Sequence, residues 1–188
     1  MECILASTSP RRKELLKLII SEFTTVDSMV EEGEYPKLSA RQKALQLSRD
    51  KCRGAMALVG TRDKLIIASD TVVDVGGTIL GKPQNKQQAY AMIKRLSGTN
   101  HKVHSGVSVC YKGVIFSFTQ TTKVYFDRID DKTICEYIDT QEPYDKAGGY
   151  AIQGFMAGYI EKIVGNYHNV VGLPVQKLNK LLKTIKAI

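Results

Sequence analysis

Cys3-Ile4-Leu5-Ala6-Ser7-Thr8-Ser9-Pro10-Arg11-Arg12 lies at the start of the chain, and its reading decides the fold. Four apolar residues without a break read as a buried strand. Ser9 is a good helix N-cap, and Pro10 suits the first helical position, where its missing N–H is not needed. Leu15, Leu16, Ile19 and Ile20 then recur at helical spacing. The segment is strand, tight turn, helix. Its first helical turn breaks a local rule. A helix N-terminus carries partial positive charge and prefers Asp or Glu, yet Arg11, Arg12 and Lys13 stand there. Two guanidiniums beside backbone N–H groups and the hydroxyls of Ser7, Thr8 and Ser9 compose an anion cradle. The plainer reading is a solvated basic turn. A Walker loop is excluded, because G-x-x-x-x-G-K-[ST] does not occur.

The same alternation continues outward. Residues 45–56 read as a second helix, carrying Lys51. Leu65-Ile66-Ile67-Ala68 reads as another buried strand and runs into Ser69-Asp70-Thr71-Val72-Val73. Gly76-Gly77 is a two-residue hairpin signal before Thr78-Ile79-Leu80. Asn85 starts a helix that stops at Gly98, with Ala89, Met92, Ile93 and Leu96 on one face. Residues 103–109 and 114–126 read as strands joined by Tyr111-Lys112-Gly113. Residues 131–139 read as a helix, 143–154 as a Gly-rich loop, 155–164 as a strand and 174–185 as the closing helix. Hairpins and crossovers together predict a mixed sheet in an α/β, α+β-like layer fold.

The 188 residues are read as one domain, 1–188, with two lobes sharing a core. Apolar residues make up 43% of the chain, too many for disorder. No apolar stretch approaches the roughly 18 residues of a membrane span, and the N-terminus has neither the basic n-region nor the h-region of a signal peptide. A cytoplasmic protein without a membrane partner is expected. Cys3, Cys52, Cys110 and Cys135 are scattered without a C-x-x-C pair and read as small buried hydrophobes. The three histidines are widely placed, which makes a zinc site improbable. A net charge of +8 suggests an anionic partner: nucleic acid, a membrane surface or free phosphates.

Asp70 is the second anomaly. A carboxylate between Ile66-Ile67-Ala68 and Val72-Val73 is expected to be part-buried, hence paired, metal-bound or shifted in pKa, if it is not simply a hydrogen-bonded turn residue. Lys82, after the Gly-Gly hairpin, can return near that strand end or remain a surface lysine. Glu31 and Glu32 lie in a polar segment. A cationic phosphate cradle with a buried carboxylate suits metal-assisted phosphoryl or nucleotidyl chemistry without naming a substrate.

These residues also carry a resemblance. Leu5-Ala6-Ser7-Thr8-Ser9-Pro10-Arg11-Arg12, Ala68-Ser69-Asp70-Thr71-Val72-Val73 with Gly81-Lys82-Pro83, and Leu96-Ser97-Gly98 with His101 resemble successive blocks of the Maf family of nucleotide pyrophosphatases. Glu142-Pro143-Tyr144-Asp145-Lys146-Ala147-Gly148-Gly149-Tyr150-Ala151-Ile152-Gln153-Gly154 and Gly165-Asn166-Tyr167-His168-Asn169-Val170-Val171-Gly172-Leu173-Pro174 resemble the last two.

The resemblance implies two lobes on an elongated mixed sheet flanked by helices, around a central cleft, as in the inosine triphosphate pyrophosphatase group. It implies hydrolysis of a nucleoside triphosphate to monophosphate and pyrophosphate with a divalent metal cation (Mg²⁺, Mn²⁺ or Co²⁺). The proposed general base falls on Asp70. Phosphate-binding positions fall on Ser7, Arg11, Arg12, Lys51 and Lys82, with Lys82 neutralising charge near the α-phosphate or the leaving pyrophosphate. Metal is assigned to Glu32 and Asp70, and sequence does not separate the base and metal roles of Asp70. Arg12 (or Arg11), Thr71 and Gln153 sort base preference and point to the dTTP/UTP branch. The Gln153 amide can meet the N3–H and a carbonyl of uracil or thymine. Arg12 and Lys82 are expected to face the cleft rather than to pack. A homodimer is implied as well. The competing readings are a pyrophosphatase of broad or purine specificity, and a cell-division regulator binding nucleotide or nucleic acid. Nucleic acid is disfavoured, since the chain has neither an aromatic-interleaved basic strand nor a helix-turn-helix.

Overall fold

The computed structural model describes the whole chain except residues 31, 32 and 34. Its centre is β3 (Lys64–Val75), flanked by β1 (Glu2–Ala6) in parallel and β5 (Asn100–Tyr111) antiparallel. Leu65, Ile66, Ile67 and Ala68 of β3 are all buried, because both faces of the strand are covered and no polar alternation is needed. Outside β5 come β6 (Val114–Phe126) and the edge strand β7 (Ile160–Val164). The two-residue β2 (Thr24–Thr25) pairs with β1, and β4 (Thr78–Leu80) folds back on β3. The sheet is mixed, as hairpins beside a β-α-β crossover require.

One face is covered by α2 (Ala40–Val59), whose Cys52 and Ala55 pack with Ile66, Ala68 and Cys110. Gly106 of β5 makes this contact possible, since a Cβ there would run into the Ala44 carbonyl. On the opposite face, α1 (Pro10–Lys17) and α6 (Val175–Thr184) gather with Leu65, Ile67, Val107 and Val109. At the far end of that face, α3 (Lys86–Leu96) and α4 (Asp131–Ile138) gather with Val73, Val75, Val103 and Phe126. Val73 lies six positions after Ile67, about 20 Å of strand. The buried cores of the two clusters therefore sit at different places on one long sheet, bridged by the partly buried Ile160 and Val170, which gives the two lobes.

Ser69 and Thr71 occupy the gap on that strand, and a polar seam fills it. The Ser69 hydroxyl lies 3.0 Å from the Gly172 carbonyl, and Ser105 donates to the Asn169 carbonyl at 3.0 Å. The fully buried Asn169 amide donates to the Val103 carbonyl and to Thr122 Oγ1, each at 3.0 Å. These bonds seat the short helix α5 (Tyr167–Val171) on the sheet.

Several local expectations are corrected. The second helix starts at Ala40, not residue 45, on a capping box formed by Ser39 and Gln42. Phe155–Tyr159, expected as strand, is a 3₁₀ turn, and only Ile160–Val164 pairs with β6. The stretch 143–154 holds most of two 3₁₀ turns, Glu142–Asp145 and Ala147–Gly149. Neither β2 nor α5 has a periodic signal long enough to read. Cys135 is exposed on α4 rather than buried, while Cys52 and Cys110 are buried. Among the described residues, no helix is long and apolar enough to cross a membrane.

Candidate active site

Between the lobes lies a cleft of about 520 Å³ whose walls include Ser7, Arg11, Arg12, Lys51, Asp70, Thr71, Lys82 and Gln153. Every described residue to which the resemblance assigns a catalytic, phosphate-binding or base-sorting role is among them. Glu32 lies outside the described residues.

The β1–α1 turn supplies one wall. Ser9 is the N-cap, but its side chain makes no cap bond; instead its N–H donates to Ser7 Oγ at 3.2 Å. The first turn of α1 has no acidic residue to offset its dipole. Arg12 differs from expectation, because it is half-buried and engaged. Its Nε donates to the Gly172 carbonyl at 3.0 Å, and its Nη2 to Thr71 Oγ1 at 3.2 Å. It ties α1 to the end of α5 and to the central strand as well as facing the cleft. Lys82, by contrast, is exposed. The Gly81-Lys82-Pro83 segment is held in place where Gly148 N–H donates to the Gly81 carbonyl at 2.9 Å.

Asp70 projects from β3 toward α2, opposite Gly106 in the register. It is 6% exposed, and Lys51 donates to its carboxylate. The pairing follows from helix geometry. Ala44, Leu47, Lys51 and Ala55 lie at successive one-turn spacings on the sheet-facing side of α2, and Gly106 lets that side approach closely. A carboxylate this buried needs a partner, and Lys51 is one.

The third wall is the stretch 142–155, and it contains functional candidates that sequence reasoning left unassigned. Asp145 and Lys146 line the cleft. Lys146 donates to the Glu142 carbonyl at 2.7 Å and to Asp145 at 2.5 Å. Burial pushes the Asp145 carboxyl up, but the bond from Lys146 and the charges of Lys146 and Arg11 more than offset this and leave it below the usual value. Tyr150, buried, shares a hydrogen bond with His101 Nε2 at 2.5 Å. Burial pushes the His101 imidazole down to about 4 and the Tyr150 phenol up. Both stay neutral near pH 7. Their only sequence signal is membership of the recognisable blocks. Gln153 is exposed at the cleft and, among the described residues, its amide makes no hydrogen bond.

A cleft lined by cations and one buried carboxylate, on this sheet order, is the site of an α/β protein that handles phosphorylated ligands. The fold is similar to that of the Staphylococcus aureus Ham1 protein, with a TM-score of 0.56 over 98% of this chain and 99% of that one, at 14% identity. The Maf-like protein family model matches residues 2–185, and the chain belongs to that family. Among its relatives is the dTTP/UTP pyrophosphatase of Carboxydothermus hydrogenoformans, 46% identical over 97% of this chain and 98% of its own length. The dTTP/UTP pyrophosphatase of Clostridium tetani is 44% identical over 97% of each chain. That of Thermococcus kodakarensis is 42% identical over 95% of this chain and 94% of its own.

Proposed function

We propose that this chain hydrolyses dTTP and UTP to the monophosphate and pyrophosphate. The observation that carries the reading is the Lys51–Asp70 pair in a cleft whose walls also hold Arg11, Arg12, Lys82 and a helix N-terminus. The first turn of α1 and its guanidiniums bind the phosphates through charge-assisted bonds. Asp70 takes a proton from the attacking water as its oxygen bonds to the α-phosphorus. The α–β bridging P–O bond breaks, and Lys82 neutralises charge on the departing pyrophosphate. Lys51 orients Asp70 through the bond it donates. Thr71, held by Arg12, and Gln153 face the nucleoside.

The donors fit a hard divalent cation, which takes carboxylate and phosphate oxygens. Among the described residues no three ligating side chains gather, so Asp70 would hold it with substrate oxygens, and Glu32 is the proposed second carboxylate. When bound, the cation neutralises phosphate charge. A panel of nucleoside triphosphates with Mg²⁺, Mn²⁺ or Co²⁺, scored for pyrophosphate release, tests the proposal. dTTP and UTP are expected at the top. A purine preference would remove the pyrimidine assignment, and release of orthophosphate alone would remove the reaction.

A further inference from the structure

The Gln153 loop is fastened at both ends by side chains outside the assigned set. At one end Tyr150 packs in the α3–α4 cluster with its hydroxyl on His101, which stacks edge-on against it with ring centroids 5.3 Å apart. Two residues on, Ile152 is buried in the other cluster, with Leu5 and Leu173. The loop thus crosses from one lobe's core to the other's, and Gln153 follows at once. At the far end, Glu142 Oε2 accepts from the Phe155 N–H at 3.2 Å, while its Oε1 accepts from Tyr137 at 3.3 Å. The single Tyr137 hydroxyl proton is shared between that carboxylate and the Gly149 carbonyl, 3.0 Å away, so one phenol and one carboxylate stand between both sides of the loop.

Gly154 completes the arrangement. Its φ of −102° and ψ of −157° are open to any residue, so conformational freedom does not explain the glycine. Its surroundings do: a Cβ built there would fall within the Glu142 carboxylate. The glycine is the space the carboxylate occupies.

We infer that Glu142 is a positioning residue for base selection: its carboxylate, seated against Gly154 and the Phe155 N–H, holds the neighbouring Gln153 amide at one place in the cleft. The inference rests on the pyrimidine reading of Gln153. A site that selects by hydrogen bonding must hold its amide still, and Gln153 has no hydrogen bond of its own among the described residues to do so.

The test compares wild type, Glu142→Ala, Glu142→Gln, Gly154→Ala and the Glu142→Ala/Gly154→Ala double variant on dTTP and GTP, with folding checked by thermal melting. Wild-type preference for dTTP is established first; its absence would sink the pyrimidine reading rather than this inference. Given that preference, Glu142→Ala is expected to lower the dTTP:GTP ratio of kcat/KM about tenfold, mostly through KM for dTTP, as loss of one charge-assisted bond allows. Glu142→Gln, which keeps an acceptor, restores part of it. Gly154→Ala alone lowers the ratio similarly, and the double variant is no worse than Glu142→Ala, because the clash is gone. Additive losses, or a ratio unmoved in both folded single variants, would overturn the inference. Should Glu142→Ala fail to fold, Gly154→Ala against Glu142→Ser/Gly154→Ala carries the same comparison, because the shorter serine also clears the added Cβ.

Discussion

Lys51, in the interior of α2, donates to the carboxylate of Asp70, nineteen residues later on the central strand. The bond joins a helix to a sheet that it approaches closely two turns earlier, where Gly106 lacks the Cβ that would run into the Ala44 carbonyl. It also gives the buried carboxylate a cationic partner, whose removal would leave a buried charge uncompensated.

Asp70→Asn should therefore reduce kcat by about 10²–10⁴-fold, the range for a positioned general base. Steady-state pyrophosphate release by a variant with an unaltered melting temperature measures it. Retention of more than about a third of the wild-type rate is outside that range and would remove Asp70 from the chemistry.

Arg12→Ala and Lys82→Ala should separate binding from folding. Both lose charge-assisted contacts to phosphate, worth about 1.5–3 kcal/mol each in kcat/KM. Only Arg12→Ala should also lower thermal stability, because its guanidinium holds the Gly172 carbonyl and Thr71. Equal melting temperatures for the two variants would contradict the structural part of the Arg12 assignment.

Gln153→Glu exchanges an amide donor for an acceptor at the position proposed to read the base. Use of dTTP and UTP should fall further than the slow hydrolysis of GTP and ATP, because a site built to hydrogen-bond loses most when a polar group goes unpaired. Rates on the four nucleotides at fixed enzyme concentration decide it; an unchanged ranking would remove Gln153 from specificity.

Acid should destabilise the protein through its buried histidines. The His101 imidazole sits at about 4 against an ordinary 6.5, because burial penalises the charged form. Between those values the unfolded chain binds a proton that the folded chain refuses. Stability is thus full above pH 6.5 and declines as pH falls toward 4, by about 3 kcal/mol at most from this group. His104, also lowered by burial, acts in the same direction. Urea midpoints at pH 7 and pH 5 measure the slope, which His101→Gln should flatten.

The opening strand, turn and helix, the central apolar strand and the hairpin at Gly76-Gly77 were legible because each is specified by its own residues: unbroken apolar runs, a Pro at the first helical position, a pair of glycines at positive φ. The two lobes were implied by the family resemblance, and the long strand spacing between Ile67 and Val73 is what realises them. What sequence reading missed has no local cause. The two-residue β2 exists only because β1 is beside it, and α5 is five residues long, too short to stand without the Ser105, Thr122 and Asn169 bonds that seat it. Residues 155–159 have a strand's composition, yet they lie beyond the end of the β6 pairing.

The same division runs through the site. Residue type and order alone marked the cationic turn at Arg11-Arg12 and the carboxylate at Asp70, since a basic helix start and an acid within an apolar strand each violate a local preference and so stand out in one dimension. That Lys51 belongs to Asp70, that Arg12 is part of the framework, and that Glu142 fills the space beside Gly154 were decided by the tertiary structure. These are contacts between segments far apart in the chain or seated across a turn, and they arise only when packing brings surfaces together whose residues, taken one by one, break no rule.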